Sequence, residues 1–464
     1  MRGPIRSAIV AAMKPKDLRE ALEATGVRPS RQLGQNFLAD EGAARWIVDQ
    51  LEAGPDDCVI EVGPGFGALS EHLAGKVRRL VLVEFDARLA EWLGQRFEGV
   101  SGVEVVPADA ARLDLRPFLK EAPVRFLGNL PYSAGGAILA NFFRRASPVV
   151  RAVIMLQKEF IDRMAGAPRT DDYGALSVRV QAEWRLTRLK NIGPEAFVPR
   201  PQIDSTVALL EPLPPGVRPA FDDRLLDELL RRGFGQRRKQ LHKQMPVAAS
   251  AWPEIASSLG LVPTVRAEEM SVEDWINLTR RLDPHPLGLA PQSQDEWFDV
   301  VDENDSVVGR ERRGVVHSNK LLHRAVHVLV FNRKGELFLQ KRSRLKDNNP
   351  GTWDSSASGH LDSGEDYATC AVRELQEELG ISGVVPEEIA RVRPSEATGW
   401  EHVRVFRAAW DGPVRFPCGE IETGLWMPLA ELTEWIERRP QDFSSGFLEA
   451  RKMAGDRVRP RARP

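Results

Sequence analysis

The sequence predicts an α/β multidomain protein: an open parallel sheet wound with helices, a small helical appendage, and a second α/β/α unit. Two observations predict it. Short apolar runs of buried-strand type recur from residue 58 to residue 127, and each ends in polar residues or glycines suited to a ligand. After the proline-rich stretch Asp283–Ser293 the pattern restarts, with alternating strands and an acidic helix. A chain of 464 residues is too long for one core, so two to four domains are expected.

Composition narrows the classes. Hydrophobic residues make up 42% and charged residues 28%, as in water-soluble globular proteins. The ~18-residue apolar run needed to span a membrane is absent. The net charge of −2 excludes a globally basic nucleic-acid binder, so any such surface is local. Cys58, Cys370 and Cys418 are far apart and lack metal spacing, which reads as three free thiols in a reducing, cytoplasmic setting. Met1–Met13 is too short, and lacks a cleavage site, for a secretory signal; a transit-peptide reading and a start at Met13 both stay open there.

The elements come in order along the chain. Lys16–Gly26 reads as a helix closed by its glycine, and Asp40–Leu51 as an amphipathic helix. Cys58–Val62 is a buried strand that feeds Gly63-Pro64-Gly65-Phe66-Gly67 and a helix from Ala68 to Ala74. Glycine lets a backbone approach a ligand where a Cβ would clash. Leu80–Val83 ends in Glu84, an acid placed for a ribose diol. Val103–Val106 ends in Ala108-Asp109-Ala110, whose acid can reach an adenine amine. Val124–Leu127 ends in Asn129-Leu130-Pro131-Tyr132. There an amide oxygen and a backbone carbonyl can accept both N–H bonds of an exocyclic amine, and a ring can stack on its base. These placements suit a nucleotide-like cofactor, but NAD also uses a glycine loop and an acid at the second strand.

A resemblance separates the two. Gln35-Asn36-Phe37-Leu38, Glu61-Val62-Gly63-Pro64-Gly65, Glu84, Asp109-Ala110 and Asn129-Leu130-Pro131-Tyr132 resemble successive motifs of the ribosomal RNA adenine dimethyltransferase family. Met155–Glu159, Tyr173–Ser177 and Ala196–Pro201 extend the resemblance, which covers roughly residues 16–282. It implies a Rossmann-like class I methyltransferase using S-adenosylmethionine, with a small helical RNA-binding domain. Gln35, Asn36, Leu38, Gly63, Gly65, Glu84, Asp109, Ala110 and Asn129 would hold the cofactor. Asn129, Leu130, Pro131 and Tyr132 would orient the target adenine, and Phe197 would stack on its other face. Ser133-Ala134-Gly135-Gly136 departs from the family's usual Asn-Ile-Ser/Thr-Ser/Thr, which puts efficiency in doubt more than reaction type.

Leu229–Met245 carries Arg231, Arg232, Arg237, Arg238, Lys239 and Lys243 with no acid, a pattern for RNA phosphates. Phe234–Lys239 resembles the same family's RNA-facing helix start, and 267–278 its closing helix. These two stretches favour the small ribosomal subunit RNA, in a pre-30S particle, over the large-subunit RNA of the resistance-type relatives.

In the last third, Ala325–Phe331 and Glu336–Gln340 read as strands and Thr352–Gly359 as a polar loop. Asp366–Leu379 reads as a helix with Glu374, Glu377 and Glu378 on one face. Three like charges there suit a hard divalent ion. With Gly359, Glu365 and Arg373 the spacing matches the Nudix box, so about 296–455 resembles the Nudix hydrolases. The resemblance implies an α/β/α Nudix fold, Mg²⁺ or Mn²⁺ on Glu374, Glu377 and Glu378, and cleavage of a small-molecule diphosphate, with Glu374 a candidate for the catalytic carboxylate. Leu322–Ala325, Gln340–Arg342 and Pro350–Trp353 resemble the isopentenyl-diphosphate isomerase subgroup. That isomerase has a cysteine where Ser358 stands, so hydrolysis is preferred to isomerisation. A Nudix half acting as a binding module is the remaining alternative. His360 reads as a loop-packing or substrate residue rather than a metal ligand. The expected boundaries are 1–213 for the methyltransferase, 214–282 for the helical domain, 283–295 for a linker, 296–455 for the Nudix domain and 456–464 for a basic tail.

Overall fold

The computed structural model describes residues 15–27, 36–131, 133–215, 217–284, 293, 295–346 and 348–458. The expectations for Met1–Met13, Gln35, Tyr132, most of the linker and the end of the tail lie outside them. The described chain forms two compact units. The first runs to Pro219 and includes Asp227–Asn277; the second joins Ala220–Leu226 to Leu278–Pro464.

The first unit is built on a seven-stranded sheet. Its strands are β1 (Cys58–Val62), β2 (Arg79–Glu84), β3 (Val103–Pro107), β4 (Val124–Asn129), β5 (Val149–Gln157), β6 (Trp184–Ile192) and β7 (Ser205–Pro212). Their order is β3-β2-β1-β4-β5-β7-β6, with the first five parallel and β7 antiparallel to both neighbours. This is an open Rossmann-like sheet, and the order reverses beside β1, where such sheets bind ligands.

Burial on both sides of the sheet explains why β1 is apolar apart from Glu61. Cys58, Ile60 and Val62 enter one core with Val81, Val83, Phe126 and Ile154. Val59 enters the other with Leu80, Leu82, Leu127 and Val153. A parallel sheet covered on both sides demands such continuous apolar runs. The helix after the glycine loop is shorter than expected, Ser70–Leu73, because Gly63, Gly65 and Gly67 all take positive φ and the turn continues past Ala68.

The helical segment comprises Asp223–Gly235, Trp252–Ser258 and Val272–Leu282, with two short 3₁₀ turns. It is fastened to a loop of the sheet domain. The Tyr173 hydroxyl donates to the Met270 carbonyl at 2.7 Å, and Phe234 packs between Tyr173 and Trp275 at 5.8 and 5.4 Å. Gly233 is required there, since a Cβ would lie 2.5 Å from the Trp275 ring.

The second unit carries a mixed seven-stranded sheet in which His323–Phe331 and Glu401–Ala409 pair in parallel at the centre. A separate hairpin, Trp297–Val301 with Val307–Arg312, precedes it. The helix Tyr367–Leu379 packs Cys370, Ala371, Leu375 and Leu379 onto the sheet. Asp366 caps its start and Gly380, at φ +65°, ends it. Thr352–Gly359 is not a loop: Trp353–Asp354 and Ala357–His360 are strands. Its polarity misled because Ser355 and Ser356 are buried, with the Ser356 hydroxyl donating to the Phe338 carbonyl and accepting from the Val330 N–H.

Candidate active sites

A cavity of about 270 Å³ opens at the carboxyl ends of β1, β2 and β4. Asn36, Leu38, Gly63, Gly65, Glu84, Asp109, Ala110, Asn129 and Pro131 all line it, so most of the predicted cofactor set converges. The glycines are sterically required. A Cβ at Gly63 would meet the Asn129 carbonyl at 3.1 Å, and one at Gly65 the Phe37 ring at 2.8 Å. Glu84 accepts from the Gly65 N–H at 3.2 Å and the Asp86 N–H at 2.9 Å. Burial pushes its carboxyl up, against the pull of those N–H groups. Asn129 ends β4, and its Nδ2 donates to the Asn36 carbonyl at 3.3 Å. Leu130 sends its side chain into the core, 1% exposed, which leaves only its backbone to face a ligand.

The sequence reading missed Glu61, Asp86 and Ser133 as cavity residues. Glu61 had a signal, an acid inside an otherwise apolar strand. Burial raises its carboxyl to about 8, with the Ser70 hydroxyl, donating at 2.7 Å, pulling the other way. The native state therefore holds this proton while the unfolded chain has lost it, and stability falls as pH rises from about 4.5 to about 8. Glu61→Gln should remove that slope. In thermal melts of the two chains between pH 5 and 8, the wild type should lose ground by a few kcal/mol at most; parallel curves would contradict the assignment.

Phe197 corrects one expectation. It is 2% exposed and packs with Leu38, Ile192 and Ala196, because its strand residue pairs with Leu38. The ring fills the core and presents no face to a base in this conformation.

The basic run also divides. Arg237 is internal to the fold: it pairs with Glu268 at 2.8 Å and donates to the carbonyls of Asp171 and Thr170. Arg232 pairs with Glu228. Arg231, Arg238, Lys239 and Lys243 are exposed and have no ion-pair partner among the described residues. Arg237→Ala should therefore lower the melting temperature by a few degrees. Replacing Arg238 and Lys239 with alanine should leave melting unchanged and reduce the salt dependence of RNA binding by about two charges.

In the second unit Glu374 and Glu378 are buried, whereas the Glu377 side chain is 42% exposed. Arg373 spans Glu374 and Glu377 at 2.8 and 3.0 Å and also holds Glu365. Glu378 accepts from Gln340 Nε2 at 3.1 Å and the Ser358 N–H at 2.9 Å, with the buried Lys346 ammonium 3.6 Å away. Burial and the neighbouring Glu378 push the Glu374 carboxyl up to about 8. Gly359 belongs to the same centre, since a Cβ there would overlap the Glu374 carboxylate. The shared-face expectation holds for Glu374 and Glu378 as a buried pair; Glu377 is more exposed and is bridged to Glu374 by the Arg373 Nη1.

Among the described residues, the tight three-ligand cluster is formed instead by His317, His323 and His360, with donor atoms within 4.8 Å of one another. His323 Nδ1 donates to the Leu321 carbonyl at 2.9 Å, and its buried Nε2 lies 3.5 Å from the Glu401 carboxylate. Burial drives His360 down to about 3, opposed by Glu401 at 3.0 Å. Phe298 stacks over His323 and His360. Nothing in the spacing of these histidines signals the cluster, because they come from a helix and two strands.

Comparison with known proteins gives two separate matches along the chain. Residues 27–283 match the family "Ribosomal RNA adenine dimethylase", and residues 321–445 match "NUDIX domain". A ribosomal RNA small subunit methyltransferase A from Leptothrix cholodnii is 36% identical over 261 residues, covering 56% of this chain and 93% of its own length. The protein of the same description from Bordetella avium is 37% identical over 254 residues, covering 54% and 94%. Among solved structures, a dimethyladenosine transferase from Plasmodium falciparum aligns over 52% of this chain and 95% of its own, at 24% identity and a TM-score of 0.46. The chain is an enzyme of the ribosomal RNA adenine dimethylase family, with a NUDIX domain fused behind it.

Proposed function

We propose that the first unit transfers methyl groups from S-adenosylmethionine to N6 of two adjacent adenosines in small-subunit, 16S-type rRNA, giving N6,N6-dimethyladenosines during ribosome biogenesis. The convergence of the glycine loop, Glu84, Asp109 and Asn129 on one cavity carries this reading. The small-subunit relatives at 36–37% identity support the choice of RNA.

The cofactor, when bound, supplies a methyl on a sulfonium, an electrophile that needs no activation. The chain's part is alignment and charge. Asn129 and the Leu130 carbonyl accept from the N6 amine, fix its lone pair and stabilise the positive charge that develops on it. The proton then leaves N6 to water, and the same acceptors serve the monomethylated amine. Purified small and large subunits should be incubated with methyl-labelled cofactor. Label on the small-subunit RNA is expected; label on the large-subunit RNA alone would sink this choice and favour the resistance-type reaction.

For the second unit we infer hydrolysis of a small-molecule diphosphate with Mg²⁺ or Mn²⁺. The donor set fits a divalent ion: two buried carboxylates share one helix face, and burial, with Glu378 second, raises Glu374. Glu374 and Glu378 would hold it, with Glu377 joining if Arg373 releases it. The ion would polarise a phosphoryl oxygen and activate water. His317, His323 and His360 with Glu401 form a second donor set, of a kind that suits zinc, manganese or iron. A panel of diphosphates with Mg²⁺, together with metal analysis of the purified chain, tests both. No turnover and no bound metal would leave a binding module.

A further inference from the structure

We propose that Asn141 is a positioning residue for methyl transfer, tying the adenine side of the cofactor cavity to the loop that holds the target amine. The reactive loop and the helix Gly135–Phe142 are continuous, because the Pro131 carbonyl accepts from the Ala134 and Gly135 N–H groups at 3.1 and 2.9 Å. Two turns along that helix, half-buried Asn141 uses both amide protons of one side chain. Its Nδ2 donates to the Ala110 carbonyl at 2.9 Å and the Leu113 carbonyl at 3.0 Å.

Those carbonyls bracket the 3₁₀ turn Ala110–Arg112, which Asp109 starts by accepting the Ala111 N–H at 2.9 Å. Asp109 and Ala110 line the cavity, and so do Asn129, Pro131 and Ser133. A single carboxamide thus fixes the frame in which Asp109 and Asn129 face one ligand. The chemistry is specific. A carboxamide nitrogen carries the two donors that two carbonyls need, and an aspartate there would set a carboxylate against both. None of the motifs that carry the family resemblance includes position 141.

The role of Asn141 rests on Asp109 as a cofactor contact, and the test separates the two. The affinity of the full chain for S-adenosylhomocysteine is measured by calorimetry, below the melting temperature of each variant, for Asp109→Ala, Asn141→Asp and the double variant. Asn141→Asp should weaken binding roughly tenfold, and the double variant should bind no more weakly than Asp109→Ala alone. Asn141→Leu, which adds no charge, should show the same non-additivity with a smaller loss. Discrimination against an analogue lacking the 6-amino group should fall in both Asn141 variants, which a purely structural role would not produce. Losses that multiply in the double variant, or wild-type affinity in Asn141→Asp, would overturn the proposal. Unchanged affinity in Asp109→Ala would overturn the cofactor assignment beneath it.

Discussion

Asn129→Ala should reduce methyl transfer by at least about 10²–10³-fold in kcat while S-adenosylhomocysteine still binds. Asn129 stands at the carboxyl end of β4, with its Nδ2 anchored on the Asn36 carbonyl and its oxygen without a partner among the described residues. That oxygen is an acceptor already oriented before the amine arrives. Alanine removes it and leaves the Gly63 and Gly65 loop untouched. Asn129→Gln should not restore activity, because one more methylene carries the acceptor past the site. Single-turnover methylation with saturating RNA, beside calorimetry of the product cofactor, checks the split. Equal losses in binding and turnover would place Asn129 in cofactor binding alone.

Glu374→Gln should lower metal-dependent diphosphate turnover by roughly 10²–10⁴-fold while costing the fold nothing. The two effects point in opposite directions for a physical reason. Glu374 is buried beside Glu378, and burial already favours its protonated form. A neutral amide of the same shape replaces an acid whose neutral form burial already favours, although it gives up part of the Arg373 contact at 2.8 Å. Groups held at a cost in stability are what functional sites retain. Thermal melting and turnover of the same preparation check this; a large drop in melting temperature would make Glu374 a structural anchor instead.

The cavity of the first unit was legible in the sequence because most of its parts are local. Glu84, Asp109 and Asn129 sit where short apolar runs end, and the doubly wound topology gathers those ends on one side. The rest failed where local pattern and tertiary context diverge. Phe197 lies between prolines in a loop-like stretch, yet its strand pairs with Leu38 and turns the ring inward. Arg237 sits in an acid-free run, yet its partner Glu268 is 31 residues away. Ser355 and Ser356 look like loop residues but satisfy their hydroxyls inside a sheet. The histidine cluster and Asn141 depend on contacts between distant elements, which no spacing encodes. The glutamate helix was legible as a helix, but the burial of Glu374 and Glu378 against the exposure of Glu377 was not.

Adenine dimethylation of small-subunit RNA is tested most directly by nucleoside mass spectrometry. Precursor small subunits lacking the modification are treated with the full chain and cofactor, and the RNA is digested and mapped. Two N6,N6-dimethyladenosines at adjacent positions are predicted, with none from the Asn129→Ala chain. Monomethyladenosine as the end product, or modification confined to large-subunit RNA, would contradict it.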